Sequence, residues 1–575
     1  MKALQDWVRR TPLAGPLADA IVRLRSPDLY RRLRADEART WDAVGFARQL
    51  PPPAADAPVL LVLSMTNNTY AAKSDGMVAL AMRRKGWRVR VLTSNVYTHA
   101  KSLYRAFGID EFVAFEDLIS GRAADEAASA EVSRRITAPM DFQAVLEWTY
   151  REAWIGPQLL SSVSRRKFDG APDPRKPEIR DALLEQLAQS VRFVHAAETY
   201  LDVAKPDLIL VNEPNYHVIG PFVDVAIARD ISTIHFTQPS REDALVCKKL
   251  TRETRRVHPN SITQATLERL IAAPWGDTQE RELDREFEQR YGGVWKVQAR
   301  NQPGTVDMTP DEIRDALKLN PARPTAVLFS HVLWDANLFY GKDVFENYGE
   351  WFIETVKAAV ANPRLNWLIK LHPANLWKRK ISGATDEFGE MRLIREHIGE
   401  LPDHVRLLLP DTPVSTLSLF KMVDVGITVR GSIGYELPCF GVPVITAGTG
   451  RYSGFGFTID ETGRESYLLK LSSLTHVPRL TPDQIHRARV HAHALFVLRP
   501  WIYRSFRTEI GDDVSDPLYQ NLWPTIASHD QIDRNGDLDE FAHWAARADA
   551  IDYLACEFRS VRPIAYDGSA SVAKS

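Results

Sequence analysis

The chain has 575 residues, 45% hydrophobic and 25% charged, with a formal net charge of -2. That balance belongs to a globular enzyme and excludes a disordered chain or a protein that coats nucleic acid, while the length exceeds one ordinary core and implies two domains with helical accessories. The three cysteines, Cys247, Cys439 and Cys556, lie far apart with no C-x-x-C spacing, which argues against a disulfide framework or structural zinc and fits a reducing, cytoplasmic compartment.

Residues 1–57 read as a helical arm with an excess of arginine, ending in the Pro-rich linker PPPAADAP. Pro12, Pro16 and the arginines interrupt it before any long apolar run, against a cleavable signal or a spanning helix. The arm is expected to pack on the enzyme, with a basic surface resting on anionic lipid at the inner face of a membrane as the alternative. Residues 58–256 form a first Rossmann-like domain. PVLLVLSM, a helical stretch over 72–85 and WRVRVLTS make one βαβ unit, and DLILV, the turn NEPN, a helix over 218–228 and STIHF make another. Between them, about 110–204, lies a helical insertion whose aromatics, Trp148 and Trp154 among them, are expected to pack first and to wall an acceptor second.

Residues 257–323 are polar and helix-prone. A second Rossmann-like domain follows over 324–498, with strands TAVLFS, NWLIKL, VRLLL, DVGITV and PVITA joined by helices. Right-handed crossovers make its sheet parallel. Residues 499–575 read as aromatic-rich helices with a polar end. The fold class is therefore α/β, with two parallel sheets facing across a cleft.

Ligands of open parallel sheets bind beyond the carboxyl ends of the strands. In DVGITVRGSIGYELPCFGVPVITAG a strand runs to Arg430, Gly431 and Gly434 admit close backbone approach, and a helix starts near Ser432 and stops at Gly441. Arg430 and Ser432 are expected at a phosphate, and Glu436 beyond it, accepting from sugar or ribose hydroxyls. IKLHPAN carries Lys370 and His372 to a strand end, where Pro373 fixes the turn; His372, as an imidazolium or a proton donor, would stabilise a departing phosphate. SHVLWDANLFYGKD places Ser330, His331, Trp334 and Asp335 at the donor pocket, with helix capping an equal account of Asp335. VNEPNYH offers Glu213, or its rival His217, as the base for an acceptor hydroxyl. MTNNTY offers Asn67 and Asn68 to the acceptor, and turn formation explains the same residues. DLD at 537–539 and DRNGDLDE do not fit a metal site, so no metal or cofactor is expected.

KLHPAN followed by RGSIGYELPCFGVPVI resembles the capsular polysaccharide biosynthesis glycosyltransferases, including bacterial Kdo transferases. The resemblance is clearest over 325–460. It implies the GT-B fold, a nucleotide-sugar donor in the second domain and a glycan or lipid-linked acceptor in the first. It also implies His372 and Ser432 at the donor phosphate, with Glu436 as the carboxylate of the following helix. The donor nucleotide, and inversion or retention, stay open. A sugar-nucleotide epimerase of the same fold and a silent nucleotide-binding scaffold are the alternative readings.

Overall fold

A computed structural model describes residues 10–11, 13–167, 170, 172–299, 304–333, 338–382 and 387–558. The strands are β1 (Val59–Leu63), β2 (Arg88–Thr93), β3 (Glu111–Ala114), β4 (Leu208–Val211), β5 (Ser232–Thr237), β6 (Ala244–Leu250), β7 (Thr325–Phe329), β8 (Asn366–Lys370), β9 (Val405–Leu408), β10 (Val425–Thr428), β11 (Val444–Ala447), β12 (Ile459–Glu461), β13 (Pro500–Ile502), β14 (Phe506–Ile510) and β15 (Gln520–Pro524). β1, β4, β7, β8, β10 and β11 are short apolar runs buried along almost their whole length, as strands covered by helices on both faces must be.

The first sheet runs β3-β2-β1-β4-β5-β6-β13 and the second β9-β8-β7-β10-β11-β12. Each is doubly wound, with its order reversing between two parallel neighbours, β1 and β4 in one and β7 and β10 in the other. At such a reversal the connections leave on opposite faces, and a crevice opens beyond the strand ends.

The first sheet departs from the expected parallel form at one edge. β6 runs antiparallel to β5, and β13 antiparallel to β6. The segment 238–243 between β5 and β6 is too short for a crossover, so the chain turns straight back. β3 falls in the region read as a helical insertion. The rest of that region is helical, dominated by Pro177–Ala204 packed on Arg122–Ile136, with Trp148 in its core and Trp154 half-buried.

The region after 499 differs most from its helical reading. It begins with three strands, β13 to β15, and becomes helical only from His529–Asn535 and Asp537–Ala546 onward. Trp501, Phe541, Trp544 and Tyr553 join the core beneath β1 and β2. The chain thus returns from the second sheet to complete the first, while its polar end, from 559, lies outside the described residues. Asp537 of the DLD motif is fully buried and accepts from the amides of Arg504 (2.6 Å) and Ser505 (2.7 Å), as a helix-start turn requires. Among the described residues no helix is long and apolar enough to cross a membrane.

A buried ion cluster fastens this return. Asp552 lies 3.3 Å from Arg499 and 3.6 Å from Lys248, and all three side chains are almost completely buried. Removing the carboxylate strands two cations in the core, so Asp552→Ala should cost about 3–5 kcal/mol of stability by urea denaturation. A loss below about 1 kcal/mol would refute this account.

Candidate functional site

A cavity of about 440 Å³ opens beyond the carboxyl ends of β7, β8 and β10, at the reversal point of the second sheet. Ser330, the first residue after β7, accepts the amide of His372 on its Oγ (3.0 Å) and so ties the ends of β7 and β8 together. Pro373 has no amide to continue the sheet, and the turn it starts brings the N–H of Ala374 to His372 Nδ1 (3.1 Å). An Nδ1 that accepts leaves the proton of a neutral ring on Nε2. Burial, and then the charge of Lys370, press the His372 pKa down to about 4. His372 is therefore a neutral donor at pH 7, which departs from the imidazolium, one of the two roles expected from its sequence context.

His331 is fixed in the opposite tautomer. Its Nε2 accepts the amide of Arg430 (3.2 Å), and its ring stacks on Tyr348 with centroids 4.7 Å apart. Burial, then the nearby His372 and Arg430, hold its pKa well below the ordinary value.

Lys370, the last residue of β8, is only 5% exposed yet lines the cavity, and its ammonium has no hydrogen-bond or ion-pair partner among the described residues. Burial alone lowers its pKa to about 8. Arg451, beyond β11, also lines the cavity without an ion-pair partner among the described residues, and its Nε is buried without a hydrogen bond. Arg430 and Arg290 complete the cationic wall. Arg430 donates to the carbonyl of Tyr340 (2.9 Å) and to Asp343, and Arg290 pairs with Glu436 at 3.0 Å. No carboxylate residue is among the described residues lining the cavity. The field there favours an anion.

The glycine-rich turn divides into two parts. Gly431 and Ser432 line the cavity. A Cβ on Gly431 would sit 3.0 Å from Thr428 Oγ1, and the Ser432 hydroxyl, which makes no cap bond to its helix, lies 3.4 Å from Arg290. Gly434 and Glu436 do not face a ligand. A Cβ on Gly434 would lie 2.0 Å from the ring of buried Tyr452, so packing demands this glycine. Glu436 is fully buried, accepting from Tyr291 and pairing with Arg290, because the α-helix Ile433–Glu436 lasts one turn and carries its carboxylate against the helix Asp277–Tyr291. It holds Arg290 in place instead of reaching sugar or ribose hydroxyls.

The first-domain residues named from sequence stay outside the cavity. Glu213 is exposed and held by Arg165 through both carboxylate oxygens at 2.9 Å. His217 bonds Ser162 Oγ (2.8 Å) and Gln189 Oε1 (3.0 Å), and burial presses its pKa to about 4. Asn68 caps the helix Thr69–Arg83, and Asn67 accepts the amide of Ala100 (3.0 Å). A helix cap thus occupies Asn68, and a bond to the helix Thr98–Ala106 occupies the Asn67 carbonyl oxygen. Trp334 and Asp335 lie outside the described residues.

Sequence reasoning missed His258, which reaches the cavity from the segment after β6. Its surroundings repeat the His-Pro signal: in VHPN, as in LHPAN, Nδ1 accepts the amide two residues on, here Asn260 at 3.0 Å. Its proton too is left on Nε2. Arg451 follows a strand end and was open to the same rule that found Arg430. Arg290 and Tyr291, on a polar helix of the connecting region, carried no such signal.

Lys370 sets a pH dependence. Its ammonium attracts an anion and is lost above its free-state pKa of about 8. Affinity for inorganic pyrophosphate, followed by calorimetry, should therefore hold near pH 7 and fall between pH 8 and 9.5, by up to about tenfold per pH unit. In Lys370→Met the affinity should be lower throughout and the alkaline fall absent; an unchanged fall would assign it to another group.

No protein-family model matches the chain, and no curated protein matches it. Solved structures similar to it include the beta Kdo 2,4 transferase KpsC of Thermosulfurimonas dismutans, at 13% identity over 54% of this chain and 83% of that one, with a TM-score of 0.30. They also include UDP-GlcNAc 2-epimerase from Neisseria meningitidis bound to UDP-GlcNAc, at 11% identity over 76% and 96% of the two chains with a TM-score of 0.25. A third is the glycosyltransferase VinC in complex with DTDP, at 13% identity over 76% and 95% with a TM-score of 0.22. By its own topology, two doubly wound sheets with an anion-favouring cavity at the reversal point of the second, the chain has the GT-B architecture.

Proposed function

We propose that the protein is a glycosyltransferase that moves a sugar from a nucleotide-activated donor to a glycan or lipid-linked acceptor in the biosynthesis of a bacterial surface polysaccharide. The observation that carries this reading is the cavity itself, where among the described residues no carboxylate lines the wall and a buried lysine without a counter-ion shares the lining with two imidazoles locked as Nε2–H donors. A donor phosphate would supply the missing negative charge.

In this reading the acceptor oxygen attacks the anomeric carbon, the bond from that carbon to the phosphate oxygen breaks, and the electron pair leaves with the nucleotide. His372 and His258 meet the growing charge by hydrogen bonding and need not give up a proton, while Lys370 and Arg451 stabilise it electrostatically. The acceptor proton passes to a base that Glu213 and His217 are not free to provide, since Arg165 holds one and Ser162 and Gln189 the other.

The test follows nucleotide released from CMP-, UDP-, GDP- and CDP-sugars in the presence of lipid-linked acceptors. His372→Ala should lower kcat about 100-fold or more for the accepted donor while the protein stays folded. Near-normal transfer by that variant removes the role. Because the donor imidazoles are neutral, the rate should not climb as pH falls from 7.5 to 6; a rise following a group near 6.5 would mean that an imidazolium acts. Epimerised donor without acceptor would indicate an epimerase, and binding without turnover a scaffold.

A further inference from the structure

The helix Ala14–Arg25 presents a stripe that nothing described in the chain covers. Leu13, Leu17, Ile21 and Leu24, spaced three or four residues apart, are 64%, 46%, 50% and 82% exposed. Residues so spaced share one face of a helix. The only buried residues of this helix are Ala14 and Gly15, at its start. In the last turn of the same helix stand Arg23 and Arg25, exposed and without ion-pair partners among the described residues.

Three acids of the arm point the other way, while Asp28 is exposed beside Arg31. Asp19 meets Arg34 and Thr98, Asp36 meets Lys73 at 3.0 Å, and Glu37 meets His99 at 2.8 Å. Those three acids are spent in holding the arm together and fastening it to the first domain, and Ala14–Arg25 carries no acid other than Asp19. Isolated surface leucines mean little, but a continuous apolar stripe edged by unpaired arginines has the two features an anionic bilayer selects.

We propose that this stripe docks the protein on an anionic phospholipid surface, with the leucines and isoleucine entering the acyl boundary and the arginines resting among the headgroup phosphates. Its position gives the docking a use. At Gly15 the helix touches the loop beyond β2, where a Cβ would lie 3.3 Å from Asn95 O and 2.8 Å from Thr98 Cγ2. The arm thus sits at the carboxyl edge of the first sheet, beside the strand end that carries Asn67 and Asn68, so the bilayer would lie near that edge. The inference stands on the helix alone and does not depend on the glycosyltransferase reading.

The test is cosedimentation of the full chain with vesicles of phosphatidylcholine, pure or mixed with phosphatidylglycerol. Binding to the mixed vesicles should exceed binding to the neutral ones at least about tenfold and weaken with salt. Leu17→Ser/Ile21→Ser/Leu24→Ser should abolish it with an unchanged thermal midpoint, and Arg23→Glu/Arg25→Glu should remove the preference for anionic lipid. Undiminished binding by the serine variant would overturn the proposal. So would a concentration-dependent dimer, seen by light scattering and lost in that variant, in a chain that binds no vesicle.

Discussion

Taking an ammonium out of water without a counter-ion costs several kcal/mol, and a fold retains such a group only when the rest of the structure is stable enough to hold it. Lys370 is in that position. Its place is set by the sheet itself, because β8 pairs with β7 through Phe329 opposite Lys370 and ends there. Among the described residues, no carboxylate lines the cavity and those behind its wall are already engaged. Glu436 is occupied by Arg290 and Tyr291, and Asp343 by Arg430. What remains is a site with surplus positive charge and fixed hydrogen-bond donors.

The same groups join the two halves. The loop from Leu338 to Asp343 crosses to the first domain, where Tyr340 Oη accepts from Asn215 (2.7 Å), Tyr340 packs edge-on against His258 and Phe339 against Trp154. Arg255 lies 4.8 Å over Phe339 and donates to Asn215 (2.8 Å) and Asp224 (2.7 Å). Arg430 grips this loop from the cavity side. The arginine nearest the glycine-rich turn therefore helps define both the cavity wall and the contact between the halves, and the NEPN turn serves the site through Asn215 while its glutamate points away.

The sheets were legible because parallel strands buried on both faces leave continuous apolar runs, as in VLLVL, TAVLF and VGIT. β6 was not, because ALVCKKL contains Lys248 and Lys249, whose partners come from residues some 300 positions later: Asp552 for the first, the carbonyls of Trp544 and Arg547 for the second. β13 was hidden for the same reason, since it pairs only with β6, whereas β14 and β15 pair with each other. In the site, the strand-end rule found Ser330, His331, Lys370, His372 and Arg430. It failed for Glu436 and Gly434, whose orientation depends on Tyr291 and Tyr452, contacts that no local pattern encodes. Glu213 illustrates the opposite error: a carboxylate at a strand end is available for chemistry only if no arginine has claimed it.

The central claim is that the cavity exists to hold phosphate through Lys370, Arg451 and the two clamped imidazoles. The most direct measurement is isothermal titration of the full chain with a nucleoside, its monophosphate and its diphosphate, for each of the four common bases. The account predicts that for at least one base the phosphorylated forms bind about 100-fold or more tightly than the bare nucleoside. Equal affinity for the three forms with every base, or no binding by any of them, would contradict it.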